Sequence, residues 1–139
     1  MLTVFIADDS AVVRGKLKEA LEEQGTIKVV GESGDAMQAI TEISRLDPQV
    51  AIIDIRMPGG GGMTILMDSK AQTPDRLAII LTSFPYLQYR EAYLAAGADY
   101  FFDKTKDIQQ MTDILVELAS KIGNLPAERV RRESISKNA

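Results

Sequence analysis

Hydrophobic positions follow two alternating patterns along the chain. Short apolar runs rich in valine, isoleucine and aromatic residues predict strands at residues 3–7, 28–33, 50–53, 77–81 and 100–102. Several of these runs are almost wholly apolar, which is typical of parallel strands that are covered on both faces. The longer segments between them carry apolar residues at helical spacing, most clearly Ile108, Met111, Leu115, Leu118 and Ile122. The alternation predicts five β-α units and a doubly wound α/β fold.

Polar residues at the segment boundaries predict where the helices begin and end. Ser10 and Asp35 are suited to cap the first two helices, and Gly25 follows the first of them. Asp47 and Pro48 end the second helix, since the residue before a proline disfavours helical backbone. The remaining helices are predicted at residues 62–69, 88–96 and 107–122.

Composition narrows the class of protein. A chain of 139 residues that is 45% hydrophobic and 26% charged fits one soluble globular domain. A net charge of −4 gives no sign of a nucleic-acid surface. The absence of cysteine and histidine excludes disulfides, thiolate chemistry, histidine metal sites and a phosphohistidine carrier. The apolar start is interrupted at Asp8 and no run reaches the length of a membrane span, so we expect a cytoplasmic location.

Polar residues also follow the predicted strands, at the point where each strand ends. Asp54 comes directly after the run 50–53 and precedes a loop rich in proline and glycine. Asp8 and Asp9 end the first run, Thr82 ends the fourth and Lys104 ends the last. With right-handed crossovers, the loops after parallel strands collect at one edge of the sheet, where such folds bind ligands. We therefore expect these distant residues to meet.

The chemistry of this set is more specific than that of any one member. Acids after a strand often only begin a helix, where the helix dipole favours them, and a single lysine is usually a surface group. Three carboxylates in one place need a cation, and oxygen ligands without histidine or cysteine indicate Mg²⁺ rather than zinc. Lys104 adds a mobile charge and Thr82 a hydroxyl donor. The set is suited to moving a phosphoryl group onto Asp54.

The segments that carry these residues resemble the receiver domain of bacterial two-component response regulators. The similar segments are Ile6-Ala7-Asp8-Asp9-Ser10, Ile53-Asp54-Ile55-Arg56-Met57-Pro58 with Gly62 beyond, Leu81-Thr82-Ser83, and Ala96-Gly97-Ala98-Asp99-Tyr100-Phe101-Phe102-Asp103-Lys104. The resemblance covers about residues 2–123 and rests on their joint order and spacing. It implies a flavodoxin-like (βα)5 fold with a parallel five-stranded sheet of order 2-1-3-4-5.

The resemblance also implies roles for the acids. Asp54 resembles the aspartate that is phosphorylated by a histidine kinase or by a phosphohistidine-bearing phosphotransfer protein. The side chains of Asp9 and Asp54 and the backbone carbonyl of Arg56 resemble the Mg²⁺ ligands, while Asp8 acts mostly through water. The expected protein is not an enzyme in the ordinary sense, because it catalyses only its own phosphorylation and dephosphorylation.

A switch is implied as well. Thr82 and Lys104 resemble the residues that move toward the phosphoryl oxygens, and Phe101 takes the place of the switch aromatic, which enters the space behind Thr82. The expected result is a change in the surface formed by residues 88–96, 100–102 and 107–122, through which a protein partner in trans or a second copy binds. Tyr86, Tyr89 and Tyr93 lie in or beside it, and either contact a partner or only pack.

Two departures from the family pattern bear on this switch. Thr105 follows Lys104 where the family often has proline with a cis bond, so we expect a trans peptide here. Phe101 stands where tyrosine is frequent and lacks the hydroxyl that would form a hydrogen bond in an outward position.

Arg56 and Phe84 flank the site, and our hypothesis is that they hinder the attacking water and lengthen the phosphorylated lifetime.

Three other classes of protein fit less well. A phosphatase of the haloacid-dehalogenase type also uses an aspartate nucleophile and Mg²⁺, but Arg56 stands where its general acid is expected. A degenerate receiver that never takes phosphate would not need the intact acids, Thr82 and Lys104. A flavodoxin-like nucleotide-binding domain would need glycines in the first strand–helix turn, where this chain has acids.

The predicted domain organisation is a receiver domain at residues 1–123 and a solvated tail at 124–139 with no output domain. The tail is too short for a helix-turn-helix domain, although a continuation of the last helix from Ala127 is an alternative. We expect a stand-alone receiver that acts on a partner in trans or relays phosphoryl groups, with no direct nucleic acid or membrane contact. The alternative is a piece of a longer regulator.

Overall fold

The computed structural model describes residues 1–122, 125–127 and 129–130. Strands and helices alternate in the order β1 (Leu2–Ala7), α1 (Ala11–Glu22), β2 (Ile27–Ser33), α2 (Ala36–Leu46), β3 (Val50–Ile53), α3 (Gly61–Gln72), β4 (Leu77–Thr82), α4 (Leu87–Ala95), β5 (Tyr100–Asp103) and α5 (Ile108–Ile122). All the predicted strands and helices are present. Most ends lie within one residue of the prediction, and α3 extends furthest beyond it, since it continues to Gln72 rather than residue 69.

The five strands form one parallel sheet with the order β2-β1-β3-β4-β5. The predicted flavodoxin-like fold is therefore confirmed. The register aligns the carboxyl ends of the central strands, because Ile53 lies between Ala7 of β1 and Ile80 of β4. On the other side of β4, Thr82 pairs with Asp103. The loops that follow β1, β3, β4 and β5 consequently leave the sheet at the same edge.

The core consists of two layers, one on each face of the sheet. In one layer, residues of α1 and α5 such as Leu17 and Leu115 pack against alternate strand residues, including Val4, Ile52 and Leu81. In the other, residues of α2, α3 and α4 pack against the intervening strand residues; Ile43 and Ile65 belong to the layer that contains Phe5, Ile53 and Ile80. Every residue of β3 and β4 is buried, which explains why both strands read as continuous apolar runs. Within the described residues, no helix combines the length and apolarity needed to cross a bilayer.

The helix boundaries have the predicted chemical causes. The Ser10 hydroxyl accepts a hydrogen bond from the Val13 amide at 3.2 Å, and the Asp35 carboxylate accepts one from the Gln38 amide at 3.0 Å. Asp47 ends α2 with a left-handed φ of 47°. Because Ser10 caps α1 directly after Asp8 and Asp9, the start of this helix positions both acids at the edge of the sheet.

Part of the segment after α5 packs on the domain. Leu125 lies against the α1–α5 layer, Ala127 and Val130 are buried, and the Gln49 side-chain amide donates to the Leu125 carbonyl. Ala127, Arg129 and Val130 have helical backbone, as in the alternative considered above. The expected solvated tail is therefore wrong at these positions, because Leu125, Ala127 and Val130 pack toward the core, while Arg129 is exposed. Residues 123, 124, 128 and 131–139, including the predicted boundary, lie outside the described residues.

Candidate functional site

Three acids meet at the carboxyl edge of the sheet. Asp8, Asp9 and Asp54 each present a carboxylate oxygen, and these oxygens all lie within 4.8 Å of one another. The Asp54 amide donates to the Ala7 carbonyl at 2.9 Å, which ties the end of β3 to the end of β1. Asp8 and Asp54 are buried and Asp9 is exposed. The structure thus brings together acids that are more than forty residues apart, as the topology predicts.

Lys104 places its ammonium between the two buried acids. Its Nζ lies 2.5 Å from Asp8 Oδ2 and 3.1 Å from Asp54 Oδ2. The Lys104 amide donates to the Thr82 carbonyl at 2.8 Å, so pairing between β4 and β5 positions the base of this side chain. Without the ammonium, two buried carboxylates would face each other unpaired, which is costly.

Burial sets the electrostatics of the pair. Burial is the largest influence on Asp54 and raises the pKa of the Asp54 carboxyl above the ordinary 3.8. The Lys104 ammonium lowers this pKa but offsets only part of the effect, and the nearby Asp8 carboxylate raises it further. Burial also acts to lower the pKa of Lys104, but the contacts with Asp8 and Asp54 together outweigh it and the pKa is raised. Lys104 is therefore charged at neutral pH, while the ionised form of Asp54 is held at a free-energy cost.

The acids differ in which oxygens are engaged. Asp8 Oδ1 accepts a hydrogen bond from the Ser10 amide at 2.9 Å, and its Oδ2 contacts Lys104. The Asp9 carboxylate is exposed. This difference favours direct ligation by Asp9 and an indirect role for Asp8.

The loops after β3 and β4 contact each other beside Asp54. The Arg56 guanidinium carbon lies 3.7 Å from the centroid of the Phe84 ring, a cation–π contact. Phe84 continues into a row of aromatic rings, with Tyr86 at 6.4 Å and Tyr89 a further 6.0 Å from Tyr86. The orientation of the Arg56 backbone carbonyl toward a metal stays a prediction.

The predicted switch residues lie behind this loop. Thr82 is fully buried, and its hydroxyl accepts a hydrogen bond from the Phe84 amide at 2.9 Å. Phe101 is 8% exposed and its ring centroid lies 6.4 Å from that of Tyr93. Phe101 is therefore turned inward in this structure. Among the described residues, no peptide bond is cis, as expected for Thr105.

The three tyrosines near the predicted surface are not equivalent. Tyr93 is buried and belongs to the core layer of α2, α3 and α4, so its packing role is clear. Burial raises the pKa of its hydroxyl. Tyr86 is 57% exposed and Tyr89 is half-buried, which leaves these two available for contact with a partner.

The site also depends on residues to which sequence reasoning assigned no role. Arg14 of α1 donates from Nη1 to the carbonyl of Asp8 at 2.7 Å and from Nε to Glu32 Oε1 at 2.9 Å. Gly62 packs so closely that a Cβ there would overlap the Asp54 carbonyl oxygen and lie 3.0 Å from Ile55 Cα. The run of glycines signals a tight loop, whereas nothing in the local pattern signals the contacts of Arg14, which join separate elements.

The fold agrees with comparisons to known proteins. The family model described as the response regulator receiver domain matches residues 4–116, and the chain belongs to this family. Among solved structures, the response regulator domain of Thermotoga maritima CheB has a TM-score of 0.76 at 27% identity, with 90% of this chain and 98% of that chain covered. The isolated REC domain of Salmonella enterica RcsB, solved with phosphomimetic BeF3−, has a TM-score of 0.75 at 29% identity, with coverages of 84% and 88%.

Curated relatives are longer than this chain. The DNA-binding transcriptional activator DevR/DosR of Mycobacterium tuberculosis is 33% identical over 129 residues, which are 93% of this chain and 56% of that protein. A protein-glutamate methylesterase/protein-glutamine glutaminase of Rhodospirillum rubrum is 35% identical over 136 residues, covering 94% of this chain and 35% of that protein. The chain thus spans about half or a third of these relatives, whose names carry two different activities.

Proposed function

We propose that this chain is a phosphoacceptor of a two-component system. Asp54 receives the phosphoryl group from a histidine kinase or from a phosphotransfer protein that carries phosphohistidine. The observation that carries the proposal is the convergence of Asp8, Asp9 and Asp54 at the carboxyl edge of the sheet, with the Lys104 ammonium between Asp8 and Asp54. A cytoplasmic location stays part of the prediction.

The donor set fits Mg²⁺. All three candidate side chains are carboxylates, and the exposure of Asp9 leaves room for the water molecules that Mg²⁺ retains. Asp9, Asp54 and the backbone carbonyl of Arg56 would hold the ion, with Asp8 acting through water. When bound, Mg²⁺ neutralises charge on the acids and on the phosphoryl oxygens. The raised pKa of Asp54 supports this assignment, since a nearby cation relieves the cost of its ionised form.

The proposed transfer is a single displacement at phosphorus. A carboxylate oxygen of Asp54 forms a bond to phosphorus as the bond to the donor imidazole nitrogen breaks, and the imidazole leaves with the electron pair. The product is an acyl phosphate on Asp54. Lys104 then exchanges its contact with the Asp54 carboxylate for one with a phosphoryl oxygen, and it needs little movement because its Nζ is already 3.1 Å from Asp54.

The signal then passes through Thr82. Its hydroxyl turns to donate to a phosphoryl oxygen and gives up the hydrogen bond from the Phe84 amide. That loss rearranges the loop between β4 and α4. Phe101 is already buried, so phosphorylation stabilises its inward position rather than creating it. The α4–β5–α5 surface changes as a result and binds a protein partner in trans or a second copy.

An intact-mass experiment tests the proposal. The protein is incubated with acetyl phosphate, with Mg²⁺ or with EDTA, and compared with Asp54→Asn and with Asp113→Asn, which removes an exposed acid of α5. We expect a gain of one phosphoryl group that requires Mg²⁺, persists in Asp113→Asn and is lost in Asp54→Asn. No gain in the wild type would favour a degenerate receiver, and continuous release of phosphate from small esters would favour a phosphatase.

A further inference from the structure

An arginine bridge joins α1 to β2 beneath the turn that carries the first two acids. Arg14 projects from the first turns of α1, and its side chain is 17% exposed. One arm of its guanidinium donates to the backbone carbonyl of Asp8 at 2.7 Å, and its Nε donates to Glu32 Oε1 at 2.9 Å. Arg14 therefore contacts the backbone that presents the acids, not their carboxylates.

The space for this bridge is provided by Gly34. A Cβ at residue 34 would lie 2.9 Å from Arg14 Nη1 and 3.6 Å from the Asp8 carbonyl oxygen. Any larger residue would therefore press on the guanidinium. The Asp8 amide also donates to the Ser33 carbonyl at 3.0 Å, so the turn is held to the end of β2 by its backbone and by Arg14.

The bridge suits arginine in particular. Two different nitrogens of one planar guanidinium are used, and Glu32 fixes the plane of the group by taking the other donor. A lysine at position 14 would keep the charge but would offer one compact ammonium in place of a fork. Asp9 depends most on this restraint, because its exposed side chain takes its direction from the backbone of the turn.

We propose that Arg14, oriented by Glu32, is a positioning residue that holds the Asp8–Asp9 turn in the geometry needed to bind Mg²⁺. This inference rests on the proposed function, because it assumes that the acids hold the ion. Groups that orient the ligands of a metal typically change its affinity about 10- to 100-fold when they are removed. We expect Arg14→Ala to weaken Mg²⁺ binding by a factor in this range.

The sign of the effect separates positioning from simple electrostatics. Arg14 is a cation that contacts the turn carrying Asp8 and Asp9, so deleting its charge alone would strengthen binding of a second cation. A positioning role predicts the opposite, and it also predicts that Arg14→Lys, which keeps the charge, weakens binding. Glu32→Gln keeps the size of the side chain but loosens the orientation of Arg14, so a smaller loss is expected.

The experiment is calorimetric titration of metal-free protein with Mg²⁺. The variants are Arg14→Ala, Arg14→Lys, Glu32→Gln and the control Arg45→Ala, which breaks an exposed arginine–glutamate pair with Glu42 on α2. We expect the wild type and Arg45→Ala to bind alike and the other three to bind more weakly. Amide hydrogen exchange at Asp9 and Ser10, measured without metal, should accelerate in Arg14→Ala.

The outcomes are distinguishable. Equal or tighter Mg²⁺ binding by Arg14→Ala and Arg14→Lys, beside a wild type that binds, overturns the positioning role and leaves the proposed function intact. A wild type that binds no Mg²⁺ overturns the proposed function, and this inference with it. If Arg14→Ala does not fold, Arg14→Lys and Glu32→Gln decide the question by the same titration.

Discussion

At the scale of single residues, the charge of Lys104 partly neutralises the two buried acids of the site. The ammonium is shared between Asp8 and Asp54, so each buried carboxylate receives part of one positive charge. The neutralisation is incomplete, since the pKa of Asp54 remains raised by burial and by Asp8. The remaining negative charge favours binding of a further cation, because that cation would stabilise the ionised carboxylates.

The raised pKa of Asp54 predicts the pH dependence of stability. The folded state binds the proton of this carboxyl more tightly than the unfolded state does. The contribution of Asp54 to the free energy of unfolding is therefore fully present below about pH 3.8, and it is lost as the pH rises through the higher pKa of the folded state. Asp54→Asn removes this loss. In EDTA at neutral pH, we expect Asp54→Asn to have a higher free energy of unfolding than the wild type.

The difference should shrink as the pH is lowered toward 3.8. Urea denaturation at a series of pH values measures it, with Asp113→Asn as the control for an exposed acid. A lower stability of Asp54→Asn at neutral pH, or a difference that does not vary with pH, would show that burial does not dominate at this carboxyl.

At the scale of elements, the loops after β3 and β4 are held in place by contacts with the strands that precede them and with each other. The β3–α3 loop is held against the end of β3, because the Gly62 amide donates to the Ile55 carbonyl at 2.8 Å and the missing Cβ lets the backbones approach. The β4–α4 loop is fastened to Thr82 by the Phe84 amide. The contact between Arg56 and Phe84 joins the two loops beside Asp54.

Alanine substitutions at two glycines separate loop geometry from helix propensity. Gly62→Ala forces a methyl group onto the Asp54 backbone, so we expect lower stability, by about 1–3 kcal/mol, and slower phosphorylation. Gly15→Ala lies in the exposed middle of α1 with no atom within 4 Å of the new Cβ, and it should stabilise by about 0.5–1 kcal/mol. Thermal unfolding and phosphorylation rates measure both; normal phosphorylation of Gly62→Ala would contradict the close approach.

The Arg56–Phe84 contact predicts the lifetime of the acyl phosphate. Phe84→Ala removes the ring that stacks on Arg56 and opens a path for the attacking water. We expect faster phosphate loss, by about threefold to tenfold if the barrier falls by roughly 1 kcal/mol. Phosphate release after removal of the donor measures this rate, and Tyr86→Ala, one ring further out, should leave it unchanged. An unchanged rate in Phe84→Ala would defeat the shielding hypothesis.

At the scale of the whole molecule, the candidate site and the segment after α5 lie at opposite edges of the sheet. Gln49, beside the start of β3, donates its side-chain amide to Leu125 and accepts from the Thr3 amide at 2.9 Å. The segment that contains Ala127 and Val130 therefore packs at the end of the sheet opposite to Asp54. Its packing contributes to stability without contacting the candidate site.

Substitution of Val130 tests this separation. Val130→Ser replaces a fully buried side chain with a polar one and should lower the free energy of unfolding by about 1.5–3 kcal/mol, while Mg²⁺-dependent phosphorylation is retained. Arg129→Ser, which changes an exposed neighbour, should have little effect. Chemical denaturation measures both. Equal stabilities for the two variants would mean that Val130 is not buried in solution.

Much of this architecture follows from local pattern, and some of it does not. The apolar runs of β3 and β4 and the capping chemistry of Ser10 and Asp35 are short-range properties, so the sequence predicts them. Strand order is a long-range property that periodicity does not encode, and it was expected only from the resemblance to receiver domains.

Arg14 and Val130, which sequence reasoning missed, share one physical feature, which is a partner on a distant element. Arg14 joins α1 to the Asp8 backbone and to β2, and Val130 packs on the core layer between the sheet and helices α1 and α5. A charged or isolated apolar residue gives no local indication of such contacts. The acids were predictable because four different strands end with polar groups, which is unusual for buried strands.

Borohydride trapping of the phosphorylated protein, followed by peptide mapping, tests the phosphoacceptor assignment most directly. An aspartyl phosphate is reduced to homoserine at the position that carried it. We predict reduction at residue 54 alone, dependent on Mg²⁺ and absent in Asp54→Asn. Reduction at any other residue, or none in a protein that binds Mg²⁺, would contradict phosphoryl transfer to Asp54.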